Sequence, residues 1–299
     1  MSFLFSKKST IHCVGIGEIL FDVFPDAMKL GGAPANFAFH CSQMGLSSMV
    51  VSAIGNDEYG EKIRTLLSVK FMPALLPIVP YNTGMVHVHI DQNGMPDYNF
   101  LDNTAYDHIP LTEDLLTVAG MTNIACFGSL AQRSEESRKT ILAFLEAMPE
   151  GQRVRIFDVN LRKKYYSKEV IDSSLKHCEV VKCNSEELPI LAQLAGVDPH
   201  SPQSYYEYLR QHFDIHCFIY TDGANESIIF LEDEFSSLPT QKADVVDTVG
   251  AGDSFGAAFL CALVRGKSLK DAHSYANTIA AFVCTNEGAM PVFPDAFKG

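Results

Sequence analysis

Basic residues are scarce in this chain. Its 23 lysines and arginines face 36 aspartates and glutamates, for a formal net charge of -13. The deficit argues against nucleic acid or an anionic membrane as a partner, because both are bound through basic surface. A small anionic ligand stays compatible, since it needs only local donors. No apolar run is long enough to span a bilayer. Met1 to Thr10 is too short and too polar for a secretory signal. The eight cysteines form no C-x-x-C pair and have no zinc spacing. A chain of 299 residues needs no disulfide, so they read as reduced, buried thiols of a cytoplasmic protein.

Several motifs are also missing. There is no G-x-x-x-x-G-K-[ST] phosphate loop. Gly15-Ile16-Gly17-Glu18 lacks the third glycine of a dinucleotide fingerprint. No H-E-x-x-H and no G-x-S-x-G occurs. His87 and His89 share one strand face and read as surface residues. No repeat or low-complexity segment is evident.

What is present alternates. Ile11 to Ile16, Met49 to Ile54, Ile124 to Phe127, Val154 to Val159, Val180 to Cys183 and Cys217 to Tyr220 are near-continuous apolar runs. Such runs predict strands covered on both faces. Helical patterns lie between several of them. Ser134 is placed to cap a helix carrying Ile141, Leu142 and Leu145 that stops at Pro149. Ser268 and Asp271 have capping-box-like spacing before Ala272, Tyr275, Ala276, Ile279, Ala280 and Val283, one stripe at helical period. Length allows one large domain or two smaller ones. The alternation predicts an α/β fold with a mostly parallel sheet and helices on both faces.

One region breaks the alternation. Val86, Val88 and Ile90 alternate with His87, His89 and Asp91; Asn93-Gly94 and then Tyr98 and Phe100 follow. This predicts a hairpin outside the main sheet, with Ile19 to Phe24 as a strand that could pair with it.

Polar groups gather where the apolar runs end: Asn56-Asp57, Asp158 and Asn160, Asn184 and Glu187, Thr221-Asp222-Gly223, and Asp247. In open parallel sheets, ligands bind beyond the carboxyl ends of the strands. The densest signal is Asp247-Thr248-Val249-Gly250-Ala251-Gly252-Asp253, running into Ser254-Phe255-Gly256-Ala257-Ala258-Phe259-Leu260. Glycines at a helix start expose unpaired N–H groups to an anion. The Asp253 carboxylate beside them suits a general base, worth roughly 10²–10⁴-fold in rate. The alternative is a plain turn with an acidic first residue, favoured by the helix dipole.

Other constellations are weaker. In Gly31-Gly32-Ala33-Pro34-Ala35-Asn36 the glycines permit close backbone approach, and Asn36 offers a donor and acceptors to a sugar diol. The competing view has Asn36 cap the helix that follows. Glu18 and Asp22 could accept bonds from sugar hydroxyls, or protect an exposed edge strand. Asn184 and Glu187 have the spacing of a helix first turn and carry hard oxygens suited to Mg²⁺; an acidic helix start is equally common. Arg162 could pair with phosphoryl oxygens, or be a surface arginine.

D-T-V-G-A-G-D-S-F resembles the C-terminal signature of the ribokinase-like (PfkB) carbohydrate kinases. G-G-A-P-A-N-F-A, followed by Ala53-Ile54-Gly55-Asn56-Asp57-Glu58-Tyr59-Gly60, resembles their N-terminal one. G-E-I-L-F-D, D-V-N-L-R, N-S-E-E and T-D-G occur in family order across nearly the whole chain. Within the family the chain is most similar to the fructokinases; Ala33 stands where ribokinases usually carry lysine. The resemblance implies a ribokinase-like three-layer α/β sandwich: one domain over 1–299, with lid segments at about 18–37 and 84–106. It implies an ATP-dependent sugar kinase, with Asp253 as base and Gly250, Ala251 and Gly252 as anion hole. Asp22, Gly31, Gly32 and Asn36 would hold the sugar, Arg162 the transferring phosphoryl group, and Asn184, Thr221 and Gly223 the nucleotide. Glu187 would organise Mg²⁺ together with Asn184. Asp247 and the Val249 carbonyl match a monovalent-cation site, with K⁺ its candidate ion and the Gly288 segment completing it. The lid forms a homodimer contact in many members. Alternatives are a kinase for 2-keto-3-deoxygluconate, ribose or a nucleoside, or a non-catalytic sensor. Val69 to Pro77 departs from the family pattern, and Tyr98-Asn99-Phe100-Leu101-Asp102 lacks an arginine often found there. Both segments are expected to touch the sugar.

Overall fold

The structure, a computed structural model, describes residues 10–90 and 96–298. In chain order the strands are β1 (His12–Ile16), β2 (Leu20–Val23), β3 (Met28–Gly31), β4 (Ser47–Val51), β5 (Ile54–Gly55), β6 (Ala74–Leu75), β7 (Ile78–Val79), β8 (Gly84–Ile90), β9 (Pro96–Phe100), β10 (Ile124–Phe127), β11 (Val154–Asp158), β12 (Val180–Asn184), β13 (Cys217–Asp222), β14 (Glu226–Leu231) and β15 (Glu234–Pro239). The helices are α1 (Ala33–Gln43), α2 (Glu58–Val69), α3 (Glu113–Met121), α4 (Glu135–Ala147), α5 (Lys168–Leu175), α6 (Leu188–Ala195), α7 (Pro202–His212), α8 (Ala251–Val264) and α9 (Leu269–Cys284).

The main sheet has the order β15-β14-β13-β12-β11-β10-β1-β4-β6. Pairing is parallel from β6 to β13 and antiparallel through β14 and β15. The apolar runs form this sheet because both of its faces are covered. On one face Phe37 of α1, Phe259 of α8 and Ile279 of α9 pack with Ile156, Val180 and Ile219. On the other, Phe144 of α4, Ile171 of α5, Leu191 of α6 and Tyr205 of α7 pack with Phe127, Phe157 and Phe218. The expected three layers are therefore present. Seven of the eight cysteines are buried and all are free.

A second sheet has the order β3-β2-β8-β9. The hairpin β8–β9 is antiparallel, and β2 joins it in parallel, as the strand-like run from Ile19 predicted. The Asn93-Gly94 turn lies outside the described residues, as do Asp91 and the side chain of His89. His87 is partly exposed. Arg133 anchors the exit of β9: it donates to both carboxylate oxygens of Asp107, each at 2.7 Å, and to the Leu101 carbonyl at 2.5 Å.

Local differences have physical causes. Met49 to Ile54 is not one strand: the chain leaves the main sheet after Val51, and β5 pairs with β7 instead. β2 is no exposed edge, because β3 and β8 flank it. Ser134 stands at the N-cap of α4 but makes no side-chain capping bond. Ser268 does cap α9, accepting the Asp271 N–H at 3.1 Å. Asp57 does not point to the ligand edge. It caps α2 through the Gly60 N–H and accepts bonds from Thr83.

Candidate active site

A cleft of about 1100 Å³ opens at the carboxyl ends of β11, β12 and β13, beneath the second sheet. Its walls include Glu18, Asp22, Gly32 and Asn36 at one end, and Thr221, Gly223 and the 240–245 segment at the other. Asp158, Lys182, Gly250, Ala251, Gly252 and Asp253 lie between them.

Helix α8 begins at Gly250, whose φ of 79° is in the left-handed region. Space forbids a side chain as well: a Cβ there would sit 2.7 Å from the Ala289 Cα. The Ala251 N–H bonds the Thr248 carbonyl at 3.3 Å. The first turn places Asp253 in the cleft wall, where Asn36 Nδ2 donates to its Oδ2 at 2.7 Å. Burial raises the Asp253 pKa to about 6, helped by the Asp158 charge and opposed by Lys182, Asn36 and Arg162.

Asn36 is not a helix cap. Helix α1 starts earlier, with Gly32 as N-cap at φ 114° and Pro34 in the first turn. A Cβ on Gly32 would lie 2.4 Å from the Glu18 carbonyl oxygen. Asn36 therefore sits inside the first turn, and its Oδ1 is buried without a partner.

The same end of the cleft holds two carboxyls. Glu18 Oε1 accepts the Ala33 N–H at 3.2 Å, while Oε2 is buried without a partner. Burial raises the Glu18 pKa to about 7. Asp22, on β2 opposite Lys29 of β3, is raised to about 6, again chiefly by burial. Gly31 ends β3 beside it. Arg162 is exposed but lines the cleft, and its charge lowers all three raised carboxyls. Tyr98 and Phe100 of β9 also line the cleft, whereas no residue of 69–77 does. Of the two unusual segments, only the one at Tyr98 and Phe100 therefore reaches the cleft. Val69 and Phe71 are exposed elsewhere.

At the other end, Asn184 and Thr221 are register partners on β12 and β13. Asn184 Oδ1 accepts the N–H groups of Glu186 and Glu187, each at 2.9 Å. Glu187 Oε2 accepts the Asn184 N–H at 2.9 Å and Oε1 the Leu161 N–H at 2.7 Å. Burial raises the Glu187 pKa. Among the described residues no group of three or more His, Cys, Asp or Glu is arranged to hold a metal. Asn184 Oδ1 and both Glu187 oxygens are each already engaged by main-chain N–H groups. Thr240 Oγ1 donates to the Gly223 carbonyl at 2.9 Å, fixing the turn after β13.

Two paired lysines, Lys182 in the cleft wall and Lys29 outside it, were missed by sequence reasoning. Lys182 Nζ reaches both Asp158 oxygens at 2.8 and 3.0 Å, with both residues buried. It lies against α8, where a Cβ on Gly252 would stand 3.1 Å from Nζ. The signal was a charged residue inside an otherwise apolar strand, which is seldom buried unless paired. Lys29 Nζ bonds Asp247 Oδ2 at 3.0 Å. Asp247 Oδ1 accepts the Val249 N–H, and Oδ2 also accepts the Gly288 N–H. Burial opposes the charge on Asp247, but these two N–H groups and Lys29 hold its pKa below the ordinary value.

The three layers, the second sheet and the cleft between them are those of an α/β protein built to take up a small ligand, and the comparisons with known proteins make the class specific. Residues 18–296 match the pfkB family carbohydrate kinase description. The chain is 27% identical to probable fructokinase-4 of Arabidopsis thaliana, over 96% of this chain and 94% of that one. A fructokinase of Xylella fastidiosa with bound ATP superposes with a TM-score of 0.86 at 20% identity, covering 96% of each chain. An uncharacterized sugar kinase of Pyrococcus horikoshii in complex with ATP superposes with a TM-score of 0.79 at 26% identity over 94% of each. The chain belongs to the pfkB family of carbohydrate kinases. It is a sugar kinase with the ribokinase-like fold. No helix among the described residues is long and apolar enough to cross a membrane.

Proposed function

We propose that this sugar kinase is a fructokinase, transferring the γ-phosphoryl group of ATP to a primary hydroxyl of a keto-sugar. The observation that carries the reading is Asp253. It stands in the cleft wall beside the glycine turn, oriented by Asn36, with its pKa raised to about 6. Near neutral pH such a carboxylate is charged yet basic enough to take a proton.

The sugar hydroxyl approaches Asp253 Oδ1, since Oδ2 is engaged by Asn36. Its oxygen forms a bond to the γ-phosphorus as the bond to the β,γ-bridging oxygen breaks. The electron pair leaves with ADP, and the hydroxyl proton passes to Asp253. The N–H groups at Gly250 and Gly252, with Arg162, face the charge on the phosphoryl oxygens, while the Ala251 N–H, held by the Thr248 carbonyl, shapes the turn instead of joining the expected anion hole. Glu18, Asp22 and Asn36 bind the sugar hydroxyls. Thr221 and Gly223 line the nucleotide end, and Asn184 and Glu187 would hold the hydrated Mg²⁺ that accompanies ATP. That ion neutralises phosphate charge. The lid formed by β2, β3, β8 and β9 excludes water. The 27% identity to a probable fructokinase supports the keto-sugar.

The chain is one domain with inserted lid segments and dimerises through the lid, which sedimentation velocity of wild type against a lid-surface variant tests. Its free thiols suit a cytoplasmic location. The test of function is ATP consumption across a panel of sugars and nucleosides, repeated with Asp253→Asn. Turnover only with 2-keto-3-deoxygluconate, ribose or a nucleoside replaces fructose. Sugar binding without turnover makes the protein a sensor. Full turnover by Asp253→Asn removes the assigned base.

A further inference from the structure

The carboxylate that corresponds to the family's monovalent-cation site already carries a cation of this chain. Lys29 extends from β3 past Gly288, where its Cδ stands 3.6 Å from the position a Cβ would take. Its Nζ ends 3.0 Å from Asp247 Oδ2, with side-chain exposures of only 29% and 16% for the two partners. The Phe24 ring, 5.4 Å from the ammonium, closes another side. Together with the Val249 and Gly288 N–H groups, this accounts for both Asp247 oxygens. The residues present therefore do not fit a free K⁺. An ion added beside this carboxylate would be repelled by an ammonium in a partly desolvated site.

We propose that the Lys29 ammonium does the work of the monovalent cation, so that this enzyme needs neither K⁺ nor Na⁺. Lys29 is a positioning residue. Its charge holds Asp247, and Asp247 holds the Val249 N–H at the entrance to the Gly250 turn. The tether makes that charge independent of ionic conditions, because a linked partner needs no concentration in solution. It also joins β3 to the segment that leads into α8 by a covalently tethered charge. The inference rests on the reading of that turn as the phosphoryl site.

The experiment compares wild type, Lys29→Met and Lys29→Arg in potassium, sodium and tetramethylammonium chloride at one ionic strength. Turnover is measured with the best sugar of the panel, and thermal midpoints with ADP bound. Wild type and Lys29→Arg should show the same rate and midpoint in all three salts. Lys29→Met should lose about tenfold in rate in tetramethylammonium, the scale of one charged hydrogen bond, and regain it with K⁺ along with a higher ADP-bound midpoint. A wild-type rate or midpoint that climbs with K⁺ overturns the proposal, and needs no variant to fold. So does a folded Lys29→Met that is equally slow in every salt. If no substrate turns over, the kinase reading of this chain fails separately, while the ADP-bound midpoints still decide the role of Lys29.

Discussion

Asn36 in the first turn of α1 and Asp253 in the first turn of α8 are joined by a 2.7 Å hydrogen bond, although 217 positions separate them in sequence. The bond fixes one carboxylate oxygen and leaves the Asn36 Oδ1 buried without a partner at the end of the cleft that also holds Glu18 and Asp22. A single amide thus orients the Asp253 carboxylate and keeps a buried, unpaired acceptor beside it.

Asp253→Asn should lower kcat by about 10²–10⁴-fold, the usual worth of a positioned base, while sugar affinity stays near that of wild type. Coupled assay of ADP release and calorimetric titration with sugar separate the two. Loss of sugar binding with little loss of kcat would assign Asp253 to the sugar instead.

The pH profile should follow the Asp253 environment. Its pKa is raised to about 6, so the base becomes protonated, and kcat/KM falls, as pH drops through about 6. Lys182 lowers that pKa and Asp158 raises it. Lys182→Met should therefore move the acid limb to higher pH, and Asp158→Asn to lower pH. Limbs unmoved by either change would separate the buried pair from the base.

Breaking that pair should also cost stability. Lys182→Met leaves the Asp158 carboxylate buried and unpaired, a loss of about 3–5 kcal/mol. Joint replacement by Lys182→Met and Asp158→Leu should recover much of it. Urea denaturation of wild type and the two variants measures the difference.

Glu18→Gln should stabilise the unliganded protein above neutral pH. The Glu18 pKa is raised from 4.5 to about 7, so its contribution is fully present below 4.5 and is lost as pH rises through 7. Glutamine keeps an acceptor for the Ala33 N–H and never charges. The gain at pH 8 is at most about 3 kcal/mol, from the span between the two values. Melting curves at pH 5 and pH 8 should converge at the lower pH; equal gains at both would remove burial of the charge as the cause.

Gly250→Ala should be far more damaging than a surface glycine change. The positive φ alone costs about 1–3 kcal/mol, and the new methyl would press on Ala289. A lower melting point together with a raised KM for ATP is expected; an unchanged KM would separate the turn from the phosphates.

The parallel strands and the ligand edge were legible because sheet burial and strand direction leave direct marks: unbroken apolar runs, then polar residues at their carboxyl ends. Asn36 was harder. Asparagine is a good cap, and only the backbone geometry at Gly32 shows that the helix starts earlier. Asp57 looked like a site residue for the same positional reason as Asp158, yet its hydrogen bonds go to α2 and Thr83. β14 and β15 went unread. Lys29 was invisible, since one lysine in a short strand carries no mark of a partner 218 positions away.

A single residue, Gly32, lies between the end of β3 and the start of α1. That junction leaves no slack in chain length. A residue inserted there must lengthen the strand or the helix, and one added to the first turn of α1 would swing Asn36 about 100° around the helix axis, away from Asp253. Insertions should therefore be rejected between Met28 and Asn36.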